Sequence, residues 1–155
     1  MQYLILVRHG DYGPDGRLTT SGREQMFRLS RLLKERIDSQ SVLLFSSTAP
    51  RATDSVAWLA EALGVGFETM PLWLADDEHA FDFSRALAFI REHKSRADAL
   101  IVVTHLPYVE QFPVYFGREE LDVALPFMPV DKGDALVIDC EAGTVEIIGR
   151  TPRSK

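Results

Sequence analysis

Cysteine is nearly absent, with Cys140 standing alone among 155 residues. One thiol excludes an intramolecular disulfide framework and a multi-cysteine zinc site, and it suits a reducing compartment. Cys140 itself reads as a small buried apolar residue on a strand. Long hydrophobic runs are missing as well. Before Arg8 the chain has only the apolar stretch Tyr3 to Val7, short of a signal-peptide core and of a membrane span, so the expected location is cytoplasmic, with no membrane partner. Positive charge is in deficit, with a net charge of -6 and a sequence pI near 5.2. That balance excludes a general nucleic-acid binder, because phosphate-backbone affinity comes from counterions released by many Lys and Arg contacts. The basic end "GRTPRSK" is too short to reverse it and reads as a solvated tail. Four histidines without clustered acid or cysteine partners give no metal-ligand spacing, so no metal and no cofactor are expected. No repeat, low-complexity segment or linker divides the chain. Residues 1–155 are therefore expected to form one domain, long enough to bury about two thirds of its unfolded surface.

What is present alternates. Apolar runs bounded by turn residues predict strands at Tyr3 to Val7, Ser41 to Phe45, Ala99 to Val103, Asp134 to Asp139 and Thr144 to Ile148. The first helix is expected to open at Ser21, where "SGRE" reads as a capping box with Glu24 reaching back, and Met26, Leu29, Leu33 and Ile37 mark its apolar face. "PRATDSVAWLAEALG" gives a second helix, with Pro50 suited to its first turn and Gly64 to its stop. A third spans Phe83 to His93, and "HLPYVEQF" begins another. Strands alternating with helices predict a three-layer α/β/α sandwich with a mainly parallel sheet, while "LVIDCEAGTVEII" reads as an antiparallel edge hairpin. Phe67 to Phe81 is expected to be a loop over the sheet's end.

In an open α/β sheet, ligands gather beyond the carboxyl ends of the strands. Three predicted strand ends share a character there. The first delivers Arg8 and His9, the second Arg51, and the third His105. Arg51 follows Pro50 at the start of a helix, where the macrodipole disfavours a cation, and such a local inconsistency is expected at a functional site. Two arginines, two histidines and two helix starts predict a positive pocket for an oxyanion such as phosphate. One neutral imidazole, its basicity depressed by neighbouring cations, can attack phosphorus while the other stabilises the phosphoryl oxygens.

These residues resemble a known family. "RHG" after an N-terminal strand, "LTTSG" from Leu18 to Gly22, the arginine of "SSTAPRATDSV" and the late histidine of "VVTHLP" are similar to the histidine phosphatase superfamily, the phosphoglycerate-mutase-like group. Four motifs in order cover nearly the whole chain, and the short length without a large insertion resembles the SixA-like protein-phosphohistidine phosphatases. The resemblance implies a hydrolase in which His9 forms a covalent phosphohistidine. Arg8, Arg51 and His105 would hold the phosphoryl group, the backbone at Leu106 would assist, and Gly10 would permit close approach, its carbonyl fixing the His9 tautomer.

The pattern also breaks. Many family members carry a glutamate as general acid, and the matching stretch "PLWLADDEH" lacks it directly after the leucine pair. Asp76, Asp77 and Glu78 lie close by, with Asp76 the first candidate, although three adjacent acids and His79 also fit a solvated turn. Asp15 stands where mutase-like members place an asparagine on phosphate, so it is expected to face elsewhere. An imidazole leaving group needs less protonation than an alkoxide, and the missing acid therefore favours phosphohistidine-bearing proteins over small phosphomonoesters. A weakly catalytic phosphate-binding scaffold is the rival from another class. His79 and His93 read as surface residues. Trp58 and Trp73 read as packing residues, with Trp73 and Phe81 also candidates for the pocket mouth. The sequence leaves the oligomeric state open.

Overall fold

Apolar residues two apart along a strand share a face of the sheet, and this alternation builds two cores. In β1 (Tyr3–Arg8), Leu4 and Leu6 enter one cluster while Tyr3, Ile5 and Val7 enter the other. β4 (Ala99–Thr104) and β5 (Ala135–Asp139) divide in the same way. Helices α1 (Thr20–Arg36) and α2 (Pro50–Leu63) cover one face. α3 (Phe83–His93), α4 (Phe112–Phe116) and a short 3-10 turn at Pro71–Trp73 cover the opposite one. The result is the expected three-layer α/β/α sandwich. The computed structural model describes residues 1–37, 40–76 and 78–149; Asp77 and the basic tail beyond Gly149 lie outside them.

With β2 (Val42–Ser46), β3 (Glu68–Thr69) and β6 (Thr144–Ile148), the sheet has the order β3-β2-β4-β1-β5-β6. β1, β2, β3 and β4 run parallel, β5 is antiparallel to β1, and β6 is antiparallel to β5. The carboxyl ends of β2, β4 and β1 are thus neighbours on one edge, with β4 between the other two.

Several expectations need correction. α1 begins at Thr20, and its cap is Thr19, whose side chain accepts from the Gly22 N–H at 3.1 Å. Ser21 is already helical, and its hydroxyl turns to Asp11 instead. The Phe67 to Phe81 stretch is more ordered than a loop, because β3 and the 3-10 turn lie within it. Trp73 is not at a pocket mouth; it is fully buried, packed edge-on against Phe89, Tyr108 and Phe112. Phe81 is exposed and stacks on Phe83. The helix after His105 is α4 flanked by π-helical turns at Pro107–Gln111 and Gly117–Leu121. Cys140 lies one residue past β5, is half-buried, and burial pushes its thiol up to about 11.

The turn after β1 crosses α1 at very close range. A Cβ on Gly10 would lie 2.8 Å from the Gly22 carbonyl oxygen, and one on Gly22 would meet the Asp11 carbonyl. Both positions need glycine because two backbones touch, not because of an unusual φ. Gly22→Ala should therefore lower stability by about 1–3 kcal/mol through overpacking, read as the urea midpoint, whereas Gly66→Ala, with open space around it, should leave the midpoint nearly unchanged. A wild-type midpoint for Gly22→Ala would show that this crossing is loose.

Candidate active site

Because β1 and β4 pair in register with Arg8 opposite Thr104, their next residues, His9 and His105, emerge side by side. Their ring centroids are 5.3 Å apart, and both residues are buried. Arg51 reaches them from the first turn of α2. Its Nε donates to His9 Nε2 at 3.3 Å, and its Nη2 lies 3.4 Å from His105 Nδ1. Arg8 completes the wall: Nη1 donates to the Val130 carbonyl at 3.0 Å, while Nε is buried without a hydrogen-bond partner. These residues, with Tyr12, Ala75, Leu106, Pro107 and Lys132, line an open cavity of about 170 Å³. All four strand-end residues singled out in the sequence are thus brought together.

Hydrogen bonds define the two imidazoles. His9 Nδ1 lies 3.0 Å from the Gly10 carbonyl, which can only accept, so Nδ1 carries the proton and Nε2 presents a lone pair toward Arg51. His105 Nε2 lies 2.7 Å from the buried Ser47 hydroxyl, leaving Nδ1 on the Arg51 side. Gly10 is tied in turn to α2, since its N–H donates to Ser55 Oγ at 3.1 Å and that hydroxyl donates to the Arg51 carbonyl at 2.7 Å.

Burial governs the charge of both rings. Desolvation lowers His9 to about 4, opposed by the Gly10 hydrogen bond and assisted by Arg51, Arg8 and Lys132. Desolvation likewise lowers His105 to about 3, assisted by His9 and Arg51 and opposed by Asp76. Both are neutral at pH 7.

Asp76 directly follows a pocket-lining residue, but its carboxylate is engaged. Oδ1 accepts from the Glu78 and His79 N–H groups at 2.9 and 2.8 Å and lies 2.8 Å from His79 Nδ1. The His79 bond holds this carboxyl below its ordinary range. Glu78 is exposed. Asp15 sits in an exposed turn where its carboxylate accepts from the Arg17 N–H, away from the cavity lining. His93 packs against Phe89, and its Nδ1 lies 2.8 Å from the Phe89 carbonyl.

Sequence reasoning missed Ser47, Tyr12 and Lys132. Ser47 follows the "VLLFS" strand and carried the only available signal, a hydroxyl at a strand end. Tyr12 packs beneath two cations, with Arg51 Cζ 4.8 Å and Lys132 Nζ 5.1 Å from its ring centroid. Among the described residues no group of three or more His, Cys, Asp or Glu side chains is placed to hold a metal ion, and no helix is long and apolar enough to cross a membrane.

The depressed basicity of both imidazoles has a readable consequence. An unfolded imidazole takes up a proton near pH 6.5, whereas the folded rings resist until about 4 and 3. Their contribution to stability is therefore full above pH 6.5 and is lost as pH falls toward those values. Ring signals assigned through His9→Ala and His105→Ala should titrate below pH 5 by NMR. A midpoint near 6.5 for either ring would contradict the desolvation argument.

No family model and no curated protein sequence matches the chain. Solved structures do. The protein histidine phosphatase SixA complexed with tungstate superposes with a TM-score of 0.69 at 19% identity, covering 94% of this chain and 93% of that one. A SixA structure from Agrobacterium tumefaciens gives 0.66 at 17% identity, covering 89% and 91%. A mycobacterial glucosyl-3-phosphoglycerate phosphatase complexed with VO3 gives 0.63 at 15%, covering 88% and 92%. Likeness at these identities is likeness of fold, and on that basis the chain has the SixA-like histidine phosphatase fold over nearly its whole length.

Proposed function

We propose that this protein is a metal-independent phosphatase working through a covalent phosphohistidine at His9, with phosphohistidine-bearing proteins as its substrate class. The carrying observation is a neutral imidazole whose Nε2 lone pair faces the Arg51 guanidinium, in a small open cavity that Arg8 also lines. A phosphoryl group entering the cavity draws Arg51 off Nε2 and meets the positive charge of Arg8 on the cavity wall. His105, offered at Nδ1, and the backbone N–H of Leu106 complete the set of donors. Nε2 attacks phosphorus; the N–P bond forms as the bond to the leaving group breaks, and the electron pair leaves with that group. Water then attacks the phosphohistidine, releasing phosphate and restoring Nε2. Preorganised positive charge supplies the stabilisation.

Ser47 is a positioning residue in this scheme. Its hydroxyl can donate to His105 Nε2 or accept from it. The ring can therefore carry a proton on Nδ1 for a phosphoryl oxygen without losing its anchor.

The state of Asp76 bears on the substrate. A carboxyl held ionised by His79 is a poor proton donor at neutral pH. A phosphoramidate whose imidazole is already protonated on its other nitrogen leaves without that help. A phosphomonoester remains the second reading, favoured by the position of the acidic loop next to Ala75 at the cavity.

Brief reaction with labelled phosphohistidine peptide should trap acid-labile, base-stable phosphate on the wild type and none on His9→Ala, with turnover unchanged by EDTA. Loss of turnover in chelator would overturn the metal-independent mechanism. Asp76→Asn should change phosphohistidine turnover less than twofold; a tenfold fall confined to an alkyl phosphate would instead assign Asp76 as the acid for monoesters. Ser47→Ala leaves a buried imidazole nitrogen without its partner, a cost of about 1–3 kcal/mol. It should lower kcat roughly tenfold and move the NMR titration of the His105 ring to lower pH, because the protonated ring loses its acceptor. An unmoved titration would reduce Ser47 to a packing role.

A further inference from the structure

The stretch "MPVDKGD", Met128 to Asp134, leads into β5 and passes directly over the catalytic turn. Its backbone is clamped on both sides of Lys132. Val130 is held at its N–H by Glu110 Oε2 at 2.9 Å and at its carbonyl by Arg8 Nη1 at 3.0 Å. The Gly133 N–H bridges the carbonyls of Arg8 and His9 at 3.0 and 3.1 Å. Gly133 has a φ of 79°, and a Cβ there would lie 2.6 Å from Gln25 Cβ, so the loop is pressed onto α1. Lys132 is therefore delivered to the cavity wall by a fixed backbone, and its charge is felt at His9.

Its ammonium group is only loosely engaged. The separation from Asp11 Oδ1 is 3.9 Å, with both side chains more than a third exposed, and such surface pairs contribute little. Asp11 does not depend on it, since Oδ2 accepts from Gln25 Nε2 at 2.8 Å and from Ser21 Oγ at 3.3 Å. Its other neighbour is the half-exposed Tyr12 ring. His9 and His105 are buried, 5% and 3% exposed, whereas Lys132 lines the same cavity with a side chain more than a third exposed, so on the phosphatase reading it is the cation left for the part of a substrate that stays outside the buried pair.

Resting on the phosphatase reading above, we propose that Lys132 is a second anion subsite, taking a carboxylate that the substrate carries beside its phosphoryl group. Two sources share that chemistry: a small phosphorylated acid, or an acidic side chain flanking a phosphohistidine. On binding, the ammonium group moves from Asp11 to the substrate carboxylate and keeps its contact with Tyr12. Asp11 retains Gln25 and Ser21.

Isosteric pairs differing only in charge provide the test: 3-carboxyphenyl against 3-carbamoylphenyl phosphate, and phosphohistidine peptides with Glu or Gln beside the phosphorylated residue. Binding is measured by calorimetry on His9→Ala, which needs no turnover, and KM and kcat on the intact enzyme. The charged member of at least one pair should bind about tenfold more tightly, and the responding pair identifies the source. Lys132→Gln should abolish that preference and Lys132→Arg should retain it. Equal binding of both members, or a preference that survives Lys132→Gln, overturns the subsite. A Lys132-dependent preference without turnover of any donor sustains the subsite and overturns the phosphatase reading, while turnover without the preference does the reverse.

Discussion

In the proposed mechanism the imidazole that attacks phosphorus must stay uncharged, and at His9 it would do so beside two arginines and a lysine that line the same cavity. Guanidinium neighbours alone would depress its basicity, yet the larger cause here is burial, with Arg51 and Arg8 adding to it. Burial is possible because the residue sits at the end of a central strand flanked by β4 and β5. The same constraint fixes the tautomer. A buried Nδ1–H requires an acceptor, and the Gly10 carbonyl is the one the chain supplies at 3.0 Å. Nε2 is then the nitrogen left for chemistry.

Close backbone packing surrounds the turn that carries His9. The turn from His9 to Asp11 is pressed against α1 at Gly22, tied to α2 through Ser55 and stitched to the loop before β5 by Gly133. Each tie comes from a different part of the chain. Together they leave the His9 main chain little freedom, so the ring orientation is set by the sheet and not by the exposed rim. The Asp11 side chain belongs to the same arrangement, since its backbone N–H donates to Gln25 Oε1 at 2.9 Å while its carboxylate accepts from Gln25 Nε2 at 2.8 Å.

Much of this is legible in the sequence. Strand-end residues are readable because parallel strands place their carboxyl ends on one edge, which turns separated positions such as Arg8, Arg51 and His105 into neighbours by topology alone. α3 matches its sequence-based bounds, Phe83–His93, because its apolar spacing and polar flanks agree. Thr19 was missed as the α1 cap because "TTSG" offers three hydroxyls in a row, and only the fold shows that Thr20 accepts from Arg23, Ser21 turns to the Asp11 carboxylate and Thr19 accepts from the Gly22 N–H. β3 was missed because two residues carry no periodicity. The antiparallel pairing of β5 with β1 is equally silent, since alternation reports a face and not a direction.

Ser47 and Lys132 show why the rest of the site could not be read. A serine at a strand end and a lysine in a polar loop are ordinary choices, and nothing local distinguishes them. Their meaning comes from distance relations: 2.7 Å to the imidazole of a neighbouring strand for Ser47, and a backbone clamped on Arg8, His9 and Glu110 for the loop of Lys132. A charged residue placed against local preference leaves a mark in sequence, as Arg51 does at a helix N-terminus. Residues defined by what they are held against leave no such mark, and in the proposed reading it is these that would set how a substrate is positioned against His9.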